Sequence, residues 1–406
     1  MHNTIYQQRS ISTLIKKNLL IYGFLFSAAS LIGSSLLNVP NGLSTIGFTF
    51  NDNIVKAKYK DAEQEVEYCF NLNNLTKLTR ELNAYAENQE MYTTWELNHK
   101  FDILAREIFE IVLGPVKLEL KEKIELKVAG ELLSIPWYGL VKSKVGKTRY
   151  LIDDHEISLN SKRIRTGNPS FATRKLQFIQ PVYKNVSKLN SKKEVENFRK
   201  NGLKIKKVSS IRDQTKSKLN EYGITHYSGH TYESEVNSEI GFLFEKDTVG
   251  VSWISVKEEM APITFLNGCS TAKSPEEKDF RYSLCGSFLA AGSKTCIGTL
   301  WKIEDQVASE ISEQFYNSLS KGNSTTISLR KAMLYMKDKE SPGVTEHNFS
   351  WAAYQAFGEE QYLAGTLEYK IKSILSLITS LLTSFSILSY YFGRRLKKIA
   401  IENSWV

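Results

Sequence analysis

Two residues that can support nucleophilic catalysis end two similar apolar runs of this chain. The first run is Ile224-Thr-His-Tyr-Ser-Gly-His230, and the second, which ends 39 residues later, is Pro262-Ile-Thr-Phe-Leu-Asn-Gly-Cys269. A thiol is a weak nucleophile until it loses its proton, and a neighbouring imidazole can accept that proton. His230 and Cys269 are therefore predicted to form a catalytic dyad if the two runs are adjacent strands of one sheet.

The same residue types also have plainer explanations. A single histidine or cysteine at a strand end is more often structural, because a free cysteine packs like a small hydrophobe. His226 and His230 would share a face as metal ligands only on a helix, whereas this segment has the composition of a strand and a turn. Cys69, Cys285 and Cys296 form no CxxC pair, and the last two lie in apolar runs typical of a core. Neither a metal nor a cofactor is predicted.

Short β-rich runs alternate with helix-length segments around this pair. The β-rich runs are Ile124 to Val128, Leu176 to Ile179, Leu203 to Val208, Ile224 to Tyr227, Ile263 to Leu266 and Thr295 to Leu300; the helical segments are Ser191 to Asn201, Ile211 to Tyr222, Ser283 to Ala291 and Glu304 to Ser320. This alternation predicts a mostly parallel sheet covered by helices on both faces. Ligands of such sheets gather at the carboxyl ends of the strands, which is where His230 and Cys269 are expected.

The chain is predicted to contain a helical part before this α/β region. Between residues 52 and 110, apolar positions recur at spacings of three and four, as in Leu75, Leu78 and Leu82. From residue 111 to 358 the β-rich character dominates. The first part is interpreted as a portion of the same domain.

Composition and charge indicate a globular protein. The chain is 42% hydrophobic and 24% charged, with a formal net charge of +9. Residues 141–220 hold 21 Lys and Arg against 6 Asp and Glu, whereas residues 231–280 hold 4 against 10. A basic stretch can bind nucleic acid or an anionic surface, but no nucleic-acid motif is present. A solvated basic face is therefore expected, and nucleic acid is the least favoured partner.

Apolar segments near both ends predict membrane association. Residues 1–40 combine a basic start with an apolar stretch, typical of a signal peptide or a retained anchor. Residues 373–393 carry no charge and precede a basic tail at 394–406, which predicts a transmembrane helix, a single-pass membrane protein and contact with lipid. A buried helix is the alternative for the second segment. Basic residues at both outer flanks predict cytoplasmic ends and a domain on the other side of the membrane.

Several sequence blocks resemble the CHAT family of caspase-like cysteine peptidases. The blocks begin at Phe101 (FDILAREIFEIVLGP), Leu133 (LSIPWYGL), Tyr150 (YLIDDHEIS), Asn267 (NGCSTA), Phe288 (FLAAGSK), Gly298 (GTLWKI, followed by Asp305) and Trp351 (WAAYQAFG). They occur in the family's order from about residue 70 to 358. The resemblance implies a caspase-like three-layer α/β/α sandwich with a mostly parallel sheet, to which the sequence adds the N-terminal helical portion and the C-terminal transmembrane helix.

The resemblance also implies an activity and roles for individual residues. Cys269 would attack a peptide carbonyl of a protein or peptide substrate, and His230 would shuttle protons. The backbone N–H groups of Gly229, Thr231 and Cys269 would form the oxyanion hole. The family commonly has glycine after the histidine, where this chain has Thr231, and metacaspase-like relatives have an acidic residue at the position of Asn267.

A second function remains open on the same residues. The chain can instead be a catalytically silent CHAT module that binds a partner protein at the membrane, with His230 and Cys269 as packing residues. Labelling of Cys269 by a thiol-reactive peptide in a His230-dependent way distinguishes the two hypotheses.

Overall fold

A computed structural model describes residues 42–143, 147–161, 171–181, 191–209, 221–234, 239–245, 247–257, 260–274, 279–339, 347–365, 378 and 380–395. The strands of this part of the chain are β1 (Leu43–Asn51), β2 (Ile54–Lys60), β3 (Glu65–Asn71), β4 (Lys123–Val128), β5 (Val141–Ser143), β6 (Arg149–Tyr150), β7 (Glu156–Ser161), β8 (Phe171–Ala172), β9 (Lys175–Ile179), β10 (Lys204–Val208), β11 (Ile224–Ser228), β12 (Thr231–Glu233), β13 (Ile240–Leu243), β14 (Thr248–Gly250), β15 (Ile263–Asn267), β16 (Thr295–Thr299), β17 (Tyr354–Gly358) and β18 (Tyr362–Leu363).

The helices lie between these strands, as the alternating sequence pattern predicts. They are α1 (Leu72–Glu87), α2 (Thr94–Val112), α3 (Leu151–Asp154), α4 (Ser191–Lys200), α5 (Val251–Ser255), α6 (Leu284–Ala290), α7 (Asp305–Ser320), α8 (Thr325–Lys337) and α9 (Asn348–Ala352). The predicted helices at 191–201, 283–291 and 304–320 are confirmed to within two residues. The predicted helix at 211–222 falls almost entirely outside the described residues.

One large, mostly parallel sheet organises the unit formed by Asn41–Tyr369. Its strand order is β10-β9-β11-β15-β16-β17-β7-β4-β1-β2-β3. Neighbours are antiparallel at β16/β17, β1/β2 and β2/β3, and all other neighbouring pairs are parallel. The central strands β11, β15 and β16 consist of buried residues only, as expected for strands covered on both faces. All six predicted strands are present.

Aromatic side chains fill the core on the two faces of the central strands. On one face, Phe265 of β15 packs against Phe315 and Tyr316 of α7, with ring centroids 4.9 and 5.9 Å apart. On the other face, Tyr227 of β11 packs against Phe242 at 4.0 Å. Successive residues of a strand point to opposite faces, so the hydrophobic run of each central strand serves both layers.

The N-terminal part is not wholly helical, and that prediction is corrected. Residues 54–71 form β2 and β3, which extend the sheet by antiparallel pairing, and helices begin only at Leu72. The strand β2 alternates buried and exposed residues, a period-two pattern that marks a half-buried strand. The helical spacing of this part belongs only to residues 72–112.

The predicted transmembrane helix at 373–393 is also wrong. The structure describes this segment at residues 378 and 380–393, which are helical, yet none of the helices in the described part of the chain is long and apolar enough to cross a membrane. Eight of its 21 residues are Ser or Thr, which lowers the mean hydropathy. The predictions of a single-pass membrane protein and of lipid contact through this helix are therefore wrong as well. Residues 1–40, predicted as a signal peptide or anchor, lie outside the described residues.

The short helix α6 packs too tightly to accept a side chain at Gly286. A Cβ atom at that position would lie 1.9 Å from the carbonyl oxygen of Phe280. The substitution Gly286→Ala is therefore expected to reduce the free energy of unfolding by about 1–3 kcal/mol. The matched control is Gly47→Ala in β1, where a Cβ meets nothing within 4 Å. Urea denaturation of both variants checks this, and equal stabilities would contradict it.

Candidate active site

The pairing of β11 with β15 brings the two predicted catalytic residues to matching positions. The strands are parallel neighbours, with Ser228 opposite Asn267 at their carboxyl ends. The Gly229 N–H donates to the Asn267 carbonyl at 3.2 Å, which carries the pairing one residue further. His230 follows Gly229 after β11, and Cys269 follows Gly268 after β15. Adjacent strands lie about 4.8 Å apart, so both residues leave the sheet at the same edge as neighbours.

The glycines before these residues allow close approach of neighbouring groups. Gly229 and Gly268 are not among the glycines with positive φ, so no left-handed turn requires them. A Cβ on Gly229 would lie 2.6 Å from the Tyr227 hydroxyl, and one on Gly268 would lie 2.9 Å from the Gly229 carbonyl. At Gly229 the crowding comes from Tyr227 of the same segment, and at Gly268 it comes from the loop that carries His230.

The backbone after Cys269 takes an unusual conformation. Ser270 has a φ of 52°, one of two positive values among the described non-glycine residues, and its N–H donates to the Trp301 carbonyl at 3.2 Å. Such a conformation costs about 1–3 kcal/mol and persists only where surrounding contacts impose it. Thr271 supplies such contacts, because its hydroxyl accepts from the Thr299 N–H at 2.9 Å.

Hydrogen bonds hold the loop that carries His230. The His230 carbonyl accepts from the Tyr227 hydroxyl at 2.5 Å and from the Leu243 N–H at 3.0 Å. The Thr231 hydroxyl donates to the Cys269 carbonyl at 2.7 Å and so links the two loops. Thr231 pairs with Phe242 in a position that exchanges no hydrogen bonds in an antiparallel ladder, so its N–H points away from that partner.

The Cys269 thiol lies in a half-buried place between charges of both signs. Burial raises the pKa of the thiol; the nearby Lys302 charge lowers it, and the carboxylates of Asp305 and Glu87 raise it, for a net increase. Its Sγ lies 4.0 Å from the Ile303 carbonyl oxygen. Because the thiol is protonated at neutral pH, its reaction needs a base, and His230 is the imidazole at the matching strand end.

Asp305 is a neighbour of this site to which the sequence analysis gave no role. It begins α7, two residues after Ile303. Burial raises the pKa of its carboxyl; the His230 charge lowers it and the Glu194 charge raises it, and the balance is an increase. Its position two residues after the GTLWKI block was the only sequence signal available.

The N-terminal helices border the same edge of the site. Glu87, at the end of α1, forms an ion pair with Lys273 at 3.0 Å, four residues after Cys269. The Gln89 side chain donates to the Lys302 carbonyl at 3.2 Å. These contacts tie the turn after α1 to both loops that flank the thiol.

Of the other residues considered as metal ligands or thiols, His226, Cys285 and Cys296 are buried and Cys69 is exposed. His226 is fully buried in β11 between aromatic rings, and Cys285 and Cys296 are buried free thiols whose Sγ atoms lie 3.0 Å apart. Cys69 is exposed on the edge strand β3. No group of three or more His, Cys, Asp or Glu residues in the described ranges is arranged to hold a metal ion.

Residues 102–359 match the CHAT domain. The chain belongs to the CHAT domain family. This match starts and ends close to the blocks that carried the resemblance in the sequence. The large, mostly parallel sheet with helices between its strands is the caspase-like α/β fold that the resemblance implied.

Solved structures agree on the fold. Two crystal structures of the Saccharomyces cerevisiae separase-securin complex are similar, with TM-scores of 0.52 and 0.51 and identities of 11% and 12%. The similarity covers 79% and 80% of this chain and 30% of the other chain. The Arg-specific cysteine proteinase gingipain R matches with a TM-score of 0.42 and 10% identity over 73% of this chain and 76% of its own. No curated protein sequence matches the chain.

Two charges near the thiol are predicted to shift the pKa of Cys269 in opposite directions. Removing the negative charge of Asp305 with Asp305→Asn stabilises the thiolate and is expected to lower the pKa of Cys269. Removing the positive charge with Lys302→Gln is expected to raise it. The rate of iodoacetamide alkylation of Cys269 as a function of pH measures both shifts. Shifts in the same direction would show that these charges do not act on the thiol.

The buried thiols are predicted to matter for stability alone. Cys296→Ser places a hydroxyl in an apolar position and is expected to reduce the free energy of unfolding by about 1–3 kcal/mol. Cys285→Ser is expected to have a similar effect, and Cys69→Ser, at an exposed position, almost none. Thermal melting together with labelling of Cys269 checks this, and impaired labelling with unchanged melting would refute it.

Proposed function

We propose that this CHAT protein is a cysteine endopeptidase with His230 and Cys269 as its catalytic dyad. The observation that carries the proposal is the in-register parallel pairing of β11 and β15, because His230 follows one strand and Cys269 follows the other at the same edge of the sheet. A half-buried thiol with a raised pKa fits a reaction in which a base, here His230, removes the proton while the sulfur attacks.

The proposed reaction divides peptide hydrolysis into two steps. His230 takes the Cys269 proton as Sγ attacks the carbonyl carbon of the scissile peptide bond. His230 then gives that proton to the leaving amine as the C–N bond breaks, which leaves a thioester on Cys269. A water molecule loses a proton to His230 as its oxygen attacks the thioester carbonyl. The C–S bond then breaks, Cys269 Sγ regains that proton from His230, and the acid product is released.

The negative oxygen formed in each step needs N–H donors close to Cys269. Three backbone groups were expected from the resemblance. The Gly229 N–H is engaged with Asn267 in this conformation, whereas the Thr231 N–H points away from its strand partner. We therefore favour the N–H groups of Thr231 and Cys269 for the oxyanion, and a lost donor of this kind costs about 100- to 1000-fold in rate.

A protein or peptide is the proposed substrate. Separase, which shares this fold, forms a complex with the protein securin, which is consistent with a protein ligand for the fold. Two basic residues, Lys302 and Lys273, and two acidic residues, Glu87 and Asp305, lie around the thiol. Because these charges balance, they do not by themselves select a basic or an acidic substrate.

The dyad is tested by substitution of both residues. Cys269→Ala and His230→Ala are each expected to lower peptide hydrolysis at least about 100-fold, because general acid-base catalysis contributes this much. The double variant is expected to be no worse than the single variants, since the two residues act as one unit. Unchanged melting confirms that the fold is intact.

Labelling by a peptidyl chloromethyl ketone provides the contrasting outcome. Modification of Cys269 that depends on His230 supports a peptidase. A folded chain that no such probe labels would instead favour the second hypothesis, a CHAT module that binds a partner protein without cleaving it. Substantial activity in both single variants together with a much less active double variant would refute the dyad.

A further inference from the structure

Asn267, two residues before Cys269, has all polar atoms of its side chain engaged. Its Nδ2 donates to Glu194 Oε1 at 2.9 Å and to the Ala308 carbonyl at 3.0 Å. Its Oδ1 accepts from the Tyr354 hydroxyl at 2.5 Å. The residue is 6% exposed, so water does not compete for these bonds. The end of β15 is therefore fixed by contacts from α4, α7 and β17.

Among the residues around Asn267, Glu194 is the one whose burial is energetically unfavourable. It is 3% exposed, its Oε1 lies 3.3 Å from His226 Nε2, and no hydrogen-bond partner of its Oε2 occurs among the described residues. A buried acidic group costs several kcal/mol unless it is well paired. Proteins keep such local violations mainly where function requires them. The carboxylate of Glu194 accepts from the Asn267 amide and so orients that side chain.

The same amide also bonds the helix that follows the loop flanking the thiol. Ala308 lies in the first turn of α7, and the chain just before α7 brings the Ile303 carbonyl to 4.0 Å from Cys269 Sγ. Gly268 has no side chain to fix the backbone between Asn267 and Cys269. The side chain of Asn267 is thus the last one that anchors β15 before the nucleophile. It links the end of this strand to α7, which directly follows the loop beside the thiol.

We infer that Glu194 is a positioning residue for the nucleophile, acting through Asn267. Its Oε1 holds the Asn267 amide in the orientation that also bonds Ala308 and Tyr354, and this sets the direction in which the chain leaves β15 toward Cys269. The inference rests on the proposed peptidase function. A displacement of about 1 Å at a reacting group costs on the order of 100-fold in rate, so a remote anchor can control turnover.

The test uses three variants of the full chain. Glu194→Ala removes the acceptor, Glu194→Gln keeps a side-chain oxygen that can accept from Asn267, and Glu196→Ala removes an exposed glutamate of the same helix as the control. The probe is a mixture of peptidyl chloromethyl ketones with different side chains next to the reactive group. The rate constant of inactivation and the apparent binding constant are measured separately, with melting curves for each variant.

The expected pattern separates positioning from general stability. Glu194→Ala lowers the inactivation rate constant about 10- to 100-fold with the binding constant within threefold of wild type. Glu194→Gln recovers to within about fivefold of wild type, and Glu196→Ala equals it. An unchanged rate in Glu194→Ala overturns the inference. So does a Glu194→Gln variant as slow as Glu194→Ala, because the hydrogen bond would then not be the cause.

Two further measurements decide the remaining cases. If Glu194→Ala does not fold, Tyr354→Phe removes one anchor of Asn267 with the carboxyl in place, and a normal rate constant in that variant overturns the inference. If the probe does not label wild-type Cys269, the proposed peptidase function fails. Alkylation of Cys269 by iodoacetamide then decides the inference by itself: a rate altered by Glu194→Ala and restored by Glu194→Gln supports it, and an equal rate in all variants overturns it.

Discussion

The register between β11 and β15 is the constraint on which the rest of this site depends. Side chains alternate along a strand, so a slip of one residue would move every side chain of β11 to the opposite face of the sheet. His226 would lose its aromatic pocket and Tyr227 its contact with Phe242. The buried faces of both strands therefore fix the pairing, and the pairing in turn decides which residue lies opposite Cys269. Packing of the core and alignment of the candidate dyad are consequences of the same register.

Burial has a second consequence at the thiol. A half-buried sulfur beside Asp305 and Glu87 resists ionisation, and Lys302 only partly compensates. Some cysteine enzymes rely on a thiolate that already exists, but this environment favours proton transfer during attack. The importance of His230 under the proposed function follows from this, because without a base the thiol stays in its unreactive form.

The polar contacts near the site connect elements that are far apart in the chain. Asn267 joins α4, α7 and β17, and the turn after α1 touches the loop at Lys302. Each contact lies close to Cys269, while the aromatic layers beneath contain mostly apolar groups. Elements from distant parts of the sequence therefore hold the short segment around Cys269 in place.

The sequence alone determined the central strands, most of their helices and the family, because apolar runs of strand length and the family's blocks are local signals. It also singled out His230 and Cys269, whose catalytic role stays a prediction. It misread two regions. The residues before Leu72 form the consecutive antiparallel strands β2 and β3, and the period-two pattern of β2 was overlooked beside the helical spacing that follows it. The absence of charge at 373–393 was given more weight than its Ser and Thr content, which lowers its hydropathy. The role inferred for Glu194 had no sequence signal, since SKKEVENFRK has the composition of a solvated helix. Only the tertiary structure buries that carboxyl against Asn267, because burial depends on which surfaces meet and not on the residues adjacent in the chain.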